Sequence, residues 1–146
     1  MDKSLLDGLF RPKSIAVIGA SATPGKIGHT VIKNLLEGHY NGAIYPINPS
    51  AGEIQGLKAY ASVLDTPGPI DAAVITVPAK FVLQATEECA KKKVKGLIII
   101  TSGFSEVGDK ELEAKIVEIA RNNDMRILGP NIVGTLSNSD KMNASF

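Results

Sequence analysis

Residues 14–38 decide the fold, and they read SIAVIGASATPGKIGHTVIKNLLEG. The first part, Ser14–Ala20, is a short apolar run rich in β-branched side chains, which predicts a buried strand. A turn composition follows, and then Ile27, Val31 and Leu35 recur at helical spacing, which predicts an amphipathic helix. A buried strand that enters a helix through a glycine-rich turn is typical of the opening unit of an α/β fold.

The rest of the chain repeats this alternation. Further strands are predicted at Ala43–Asn48, Asp71–Val77, Gly96–Thr101 and from Arg126 to Leu128, and helices from Pro78 to the basic run 91–93 and from Asp109, as N-cap, to Asn123. Pro46 lacks a backbone N–H, which indicates an edge, a strand end or a bend in the second strand. Residues 135–146 show no pattern and are expected to form a polar tail.

Helices between successive strands return the chain to the same end of the sheet, so the strands are expected to pair in parallel. We therefore predict an α/β fold with a Rossmann-like, doubly wound parallel sheet in a single domain, residues 1–146. In such sheets, ligands bind beyond the carboxyl ends of the strands.

The composition is that of one ordinary globular domain. The chain has 146 residues, 44% of them hydrophobic, and a net charge of +1, which gives no general attraction to nucleic acid or to an anionic membrane. The single cysteine excludes an intramolecular disulfide framework and a Cys-rich zinc site. No apolar run is longer than that at Leu97–Ile100, which is far shorter than the ~20 residues that cross a bilayer. We expect a cytoplasmic protein without nucleic-acid or membrane partners.

The loop Gly19–Gly28 between the first strand and the first helix is the most informative segment for function. Gly19 permits a tight exit from the strand, and Gly25 and Gly28 permit a close approach of backbone to a ligand and close packing of the helix on the sheet. Amides at the helix start would face a phosphate, and Lys26 adds a positive charge. Glycines in such a loop can also serve the turn alone, but their place between a clear strand and a clear helix favours phosphate binding.

This loop differs from two familiar phosphate-binding motifs. Ile27 follows Gly-Lys where a P-loop has Ser or Thr, and Ala20 and Ser21 fill the places around the second glycine of a dinucleotide fingerprint. The second strand ends on Asn48, without the carboxylate that usually holds the ribose of NAD. NAD is therefore disfavoured, whereas another nucleotide stays open.

Two later loops lie at the same predicted edge. Val77–Lys80 offers a rigid apolar corner and a cation that could grip an adenine or a phosphate, although a helix-opening proline and a solvated lysine explain it equally well. Thr101–Glu106 offers hydroxyls, amides and a carboxylate, or simply a capped turn.

His29 and His39 are expected on the helix surface and Cys89 in the core. The residues alone predict a nucleotide-binding or phosphate-binding domain and no reaction.

Several motifs in register resemble the N-terminal CoA-binding domain of NDP-forming acyl-CoA synthetases, the ADP-forming acetate–CoA ligase group related to the succinyl-CoA synthetase α subunit. These motifs are Leu9–Ser21, Pro24–Gly28, Tyr45–Pro49, Asp71–Pro78, Ser102–Gly108 and Gly129–Asn131. A departure is Ile132-Val133, where members commonly have Cys-Leu after Gly-Pro-Asn. This departure concerns a neighbour of the family's active centre and not its CoA crevice.

The resemblance implies coenzyme A as the ligand. Its diphosphate would lie against Ser21–Gly28 with help from Lys26, its adenine and ribose near Asn48 and Val77–Lys80, and its pantetheine beside Ser102 and Gly103. The residues that the resemblance assigns to CoA are Gly19, Ser21, Pro24, Gly25, Lys26, Ile27, Gly28, Asn48, Val77, Pro78, Ala79, Lys80, Ser102 and Gly103.

The family joins an acid to CoA reversibly, at the expense of ATP or GTP, through an acyl phosphate and a phosphohistidine. The resemblance places that histidine in a second domain and the nucleotide in an ATP-grasp module, and neither fits in 146 residues. We therefore expect this chain to be one part of a longer ligase that continues beyond Phe146, with no catalytic residue and no metal site of its own. The alternatives are a stand-alone CoA or nucleotide sensor and an NAD(P)-dependent oxidoreductase domain.

Overall fold

A computed structural model describes residues 3–146 of the chain. In chain order the helices and strands are α1 (Lys3–Phe10), β1 (Ser14–Ile18), α2 (Ile27–Glu37), β2 (Ala43–Ile47), β3 (Glu53–Ile54), β4 (Leu57–Lys58), β5 (Ala72–Ile75), α3 (Ala79–Lys92), β6 (Gly96–Ile99), α4 (Lys110–Asn122), β7 (Arg126–Leu128), β8 (Gly134–Ser137) and β9 (Met142–Ser145). Short 3₁₀ turns occupy Val63–Asp65 and Ser105–Val107.

The central sheet has five parallel strands in the order β2-β1-β5-β6-β7. The chain first steps from β1 outward to β2, and then crosses to β5 on the other side of β1. The predicted Rossmann-like, doubly wound sheet is confirmed. The strand order reverses between β1 and β5, and the crevice beyond the carboxyl ends at such a reversal is where open α/β sheets bind ligands.

Both faces of the sheet are buried, which explains the continuous apolar runs of the strands. Along β1, Ile15 and Val17 face one core and Ala16 and Ile18 face the other. The first core also holds α2, and the second holds the apolar sides of α3 and α4. Cys89 is fully buried in the second core, as predicted.

Most predicted elements are confirmed, with strands that end one or two residues earlier than expected. Asp109 is the N-cap of α4, since its side chain accepts the Leu112 N–H at 3.1 Å. Pro46 lies on β2, an edge strand, where a missing donor is tolerated. Within residues 3–146, none of the helices is long and apolar enough to span a bilayer.

The prediction of an unpatterned polar tail was wrong, because β8 and β9 form an antiparallel hairpin. Met142 and Ala144 of β9 are buried in the core beside α2. The Asn34 side-chain amide donates to the Ser145 carbonyl at 2.9 Å, which ties the hairpin to α2. Helix α1 and the β3–β4 hairpin are further elements that the sequence analysis did not predict.

Candidate functional site

A cavity of about 750 Å³ opens where the strand order reverses, beyond the carboxyl ends of β1, β2 and β5. Its walls are formed by Ile18–Ser21, Gly25–Gly28, Ile47–Pro49, Ala61, Thr76–Pro78, Phe81, Gln84, Ala85 and Glu88. The first loop forms one end, and the wall then follows α3. The cavity therefore joins the two loops for which the sequence predicted binding of a phosphate and of a nucleoside.

Two glycines shape the loop end of the cavity. Gly28 lies so close to the exit of β1 that a Cβ would collide with the Gly19 carbonyl oxygen and sit 3.0 Å from the Ala20 Cα. Gly19 has a φ of +92°, and a Cβ there would lie 2.5 Å from the Thr76 hydroxyl oxygen. These close approaches bring the first turn of α2 directly onto the end of the sheet.

The start of α2 lies at the loop end of the cavity. Lys26 is the N-cap in an extended conformation, and its side chain makes no capping hydrogen bond. Its carbonyl accepts the N–H groups of His29 and Thr30 at 3.1 Å. The amides of Ile27 and Gly28 belong to the first turn, which has no earlier carbonyl within the helix to receive them. Both residues line the cavity, so the positive end of the helix faces it.

Asn48 connects the ends of β1 and β2. Its side-chain NH₂ donates to the Ala20 carbonyl at 2.8 Å, and its side-chain oxygen accepts the Ser50 N–H at 2.8 Å. Each polar atom of the amide thus has a protein partner, and each keeps the capacity for one further hydrogen bond. Asn48 fixes the loop at the place where a dinucleotide fold carries an acid.

The wall formed by α3 adds residues that the sequence reading did not single out. Phe81, Gln84 and Glu88 recur at helical spacing and line the cavity. The Glu88 carboxylate accepts the Ser62 hydroxyl at 2.5 Å and the Gln84 side-chain N–H at 3.0 Å. The sequence signal that could have identified Gln84 and Glu88 is a stripe of polar residues beside the buried apolar stripe of α3.

A second cavity of about 450 Å³ adjoins the first and shares Ile27 and residues 76–78 with it. It extends past the ends of β5 and β6 to the loop that follows β7. Ala79, Ser102, Ile132, Val133 and Phe146 are among its lining residues. The sequence departure at Ile132-Val133 therefore touches the second cavity and not the first.

The structure brings most of the predicted site residues to these cavities. Gly19, Ser21, Gly25, Lys26, Ile27, Gly28, Asn48, Val77 and Pro78 line the first cavity, and Ala79 and Ser102 line the second. Pro24, Lys80 and Gly103 line neither cavity. The Lys80 Nζ instead lies 5.0 Å from the centre of the Phe81 ring.

Cys89 and Glu106 have pKa values that differ from their ordinary values for clear reasons. Burial raises the pKa of the Cys89 thiol, and the neighbouring Glu88 charge adds to this, so the thiol is a poor nucleophile. The Gly103 N–H, which donates to the Glu106 carboxylate at 2.5 Å, lowers the pKa of Glu106. This bond holds the 102–106 loop closed on itself.

Comparison with known proteins places the chain in a family. The family described as "CoA binding domain" matches residues 13–137. The α subunit of acetate–CoA ligase [ADP-forming] I from Pyrococcus furiosus is 54% identical over 97% of this chain, and acetate–CoA ligase [ADP-forming] from Methanocaldococcus jannaschii is 55% identical over 92% of it. The chain spans 32% and 19% of the lengths of these two relatives.

A solved structure gives the same result. The dinucleotide-forming acetyl-coenzyme A synthetase 1 of Ca. Korarchaeum cryptofilum, in complex with phosphate and ADP, is 48% identical and superposes on 96% of this chain with a TM-score of 0.94. The chain covers 30% of that protein. The resemblance seen in the sequence motifs is confirmed, and this chain belongs to the CoA-binding domain family.

Proposed function

We propose that this chain binds coenzyme A in the first cavity and presents it as a substrate, as the CoA-binding part of an ADP-forming acyl-CoA synthetase. The observation that carries this proposal is the position of the cavity. It lies at the reversal of strand order, with a glycine-lined helix start and Lys26 at one end. That arrangement suits a diphosphate, and its long wall along α3 suits a nucleoside.

The diphosphate of CoA would lie against Ser21–Gly28, where the first amides of α2 and the Lys26 ammonium supply positive charge. The adenine and ribose would lie between the Asn48 loop and α3. The pantetheine arm would pass Ile27 and Pro78, which both cavities share, toward Ala79 and Ser102 in the second cavity. The proposed path leads the thiol away from the phosphate loop and into the cavity that Ile132 and Val133 line, so on this path the sequence departure lies at the thiol end of the CoA site.

The reaction proposed for the whole enzyme converts an acid, CoA and ATP or GTP into an acyl-CoA, the nucleoside diphosphate and phosphate. This chain would contribute the CoA site, and a phosphohistidine domain and an ATP-grasp module elsewhere in the ligase would handle the phosphate. Two observations support this division of roles. The relatives are several times longer than this chain, and within residues 3–146 neither His29 nor His39 lines either cavity.

Calorimetric titration should show that CoA binds at least about tenfold more tightly than NAD. The ribose of NAD is usually held by a carboxylate at the end of β2, and Asn48 stands there in place of an acid. ADP is the control, because it shares the adenosine diphosphate part of both ligands. Tighter binding of NAD than of CoA would instead favour the hypothesis of an NAD(P)-dependent oxidoreductase domain.

The 146-residue chain is expected to form no acyl-CoA when it is supplied with acetate, CoA and ATP or GTP. Phosphate transfer requires a nucleophile and a nucleotide cradle, and the phosphate loop described here would be filled by CoA. Radiolabelled ATP and GTP provide the measurement, through acid-labile phosphate on the protein and acyl-CoA by chromatography. Stoichiometric phosphorylation of His29 or His39 together with turnover would contradict this assignment.

A further inference from the structure

We propose that Glu88 selects an adenine base in the first cavity by accepting a hydrogen bond from its 6-amino group. This inference rests on the proposed function and deepens it. It assigns a specificity-determining residue for the base of the ligand, with Ser62 and Gln84 as positioning residues.

The first step in the argument is the distribution of charge in the cavity. Among the described residues that line it, Lys26 and Glu88 alone carry a formal charge. Lys26 belongs to the phosphate loop, whereas Glu88 lies roughly 14 Å along the axis of α3 from its first residue, at about 1.5 Å per residue. The cavity therefore has a cationic region for phosphates and a separate anionic region, which disfavours phosphate and favours a hydrogen-bond donor.

The second step is the fixed position of the carboxylate. Glu88 is half-buried, and its two oxygens accept from different partners, Ser62 at 2.5 Å and Gln84 at 3.0 Å. The Ser62 hydroxyl also accepts the Leu64 N–H at 3.2 Å, so its proton is directed at Glu88. An ionised carboxylate has about four acceptor positions, and these bonds use two. Two acceptor positions therefore remain on a carboxylate that lines the cavity.

The third step is the apolar surface beside the carboxylate. Phe81 and Ala85 line the cavity on the same helix, and Phe81 is 47% exposed. Ala61 lines the cavity from the loop that carries Ser62. Apolar side chains beside a hydrogen-bond acceptor suit a flat base that carries an amino group, because aromatic and apolar side chains pack on the face of a base and an acceptor pairs with its edge.

Discrimination between adenine and hypoxanthine follows from the hydrogen-bonding groups at position 6 of each base. Adenine presents a 6-amino donor, whereas hypoxanthine presents a 6-oxo acceptor that would oppose the carboxylate. A site built to receive a donor rejects the analogue that lacks it, because its own polar group is then left unpaired. A half-buried acceptor should prefer the 6-amino ligand by at least about tenfold.

The experiment measures dissociation constants for CoA, its 6-oxo analogue, ADP and IDP with the unmodified chain, Glu88→Gln and Glu87→Gln. Glu88→Gln retains the shape of the side chain and offers both a donor and an acceptor. The preference for the 6-amino member of each pair should therefore fall to within about threefold. Glu87 is an exposed acid on the same helix that does not line the cavity, so Glu87→Gln should retain the full preference.

The possible results separate the inference about Glu88 from the proposed function. If Glu88→Gln retains the preference, or if Glu87→Gln loses it equally, Glu88 only ties α3 to the Ser62 loop and the inference is wrong. If the unmodified chain binds CoA without distinguishing the 6-oxo analogue, the inference falls and the proposed function stands. If it distinguishes ADP from IDP but binds CoA no more tightly than ADP, the inference stands and the proposed function falls. Absence of binding by all four ligands overturns both.

Discussion

Replacing Gly28 with alanine is expected to lower the free energy of unfolding by about 3 kcal/mol or more. The added Cβ would collide with the Gly19 carbonyl oxygen and crowd the Ala20 Cα, and both are backbone atoms that cannot rotate away. To accommodate the methyl group, α2 must move off the end of β1. Because α2 buries Val31, Ile32 and Leu35 against the sheet, this movement would disturb the core as well as the loop.

Urea unfolding followed by circular dichroism measures this loss of stability. Gly52→Ala is the matched control, since its Cβ would meet no atom within 4 Å and its φ is not in the left-handed region. That variant should change the free energy of unfolding by no more than about 0.5 kcal/mol. If the two variants are equally stable, the close packing of α2 on β1 does not constrain this position.

Replacing Lys26 with alanine is expected to weaken CoA binding by about tenfold to a hundredfold, the range for loss of a charge-assisted hydrogen bond. The melting temperature should not change. The Lys26 side chain makes no capping hydrogen bond, so its removal leaves the start of α2 intact. Titration at low salt, where screening is weakest, is the measurement with the largest signal.

Lys33→Ala is the control for the net charge of the protein. Lys33 lies on the same helix, is exposed and pairs with Glu37 at 3.8 Å rather than with the cavity. Its removal should leave CoA affinity within about twofold of the original, because a charge outside the site acts only through screened solvent. Equal losses in both variants, or no loss with Lys26→Ala, would mean that Lys26 is merely a solvated side chain.

The first strand, the first helix and the loop between them were predictable because local patterns and long-range packing agree there. Ser14–Ile18 is buried throughout and Ile27–Glu37 buries one stripe, as their apolar spacing indicated. The glycines of the loop were assigned both a turn role and a ligand role. The predicted close packing of the helix on the sheet is confirmed at Gly28, and the structure adds which atoms come close, namely the Gly19 carbonyl and the Ala20 Cα.

The C-terminal hairpin was not predictable from a periodic pattern because only two inward positions carry the signal. Met142 and Ala144 alternate with Asn143 and Ser145, and one alternation of this length does not distinguish a strand from a polar loop. The hairpin is stabilised by its contact with α2, a long-range interaction. Tertiary packing therefore decided a segment whose local sequence is ambiguous.

The candidate site was predicted at its strand ends and missed along α3. Loops that follow parallel strands can be located from the sequence, so Lys26 and Asn48 were identified before the fold was known. Glu88 lies in the third turn of a helix, and the sequence does not show that this turn lines the cavity and contacts Ser62. Similarly, the sequence could not show that the Asn48 amide binds its own loops.

The hairpin also determines how this unit can be moved between proteins. The family match ends at residue 137, in the middle of the hairpin, whereas the buried residues of β9 lie at 142 and 144. Consider a chimaera in which residues up to 137 come from this chain and the rest comes from a relative. Its α2 would pack against the β9 of the relative instead of its own. For recombination between relatives, the better junction therefore lies after Ser145, because α2 then keeps the strand that packs on it and the phosphate loop keeps its support.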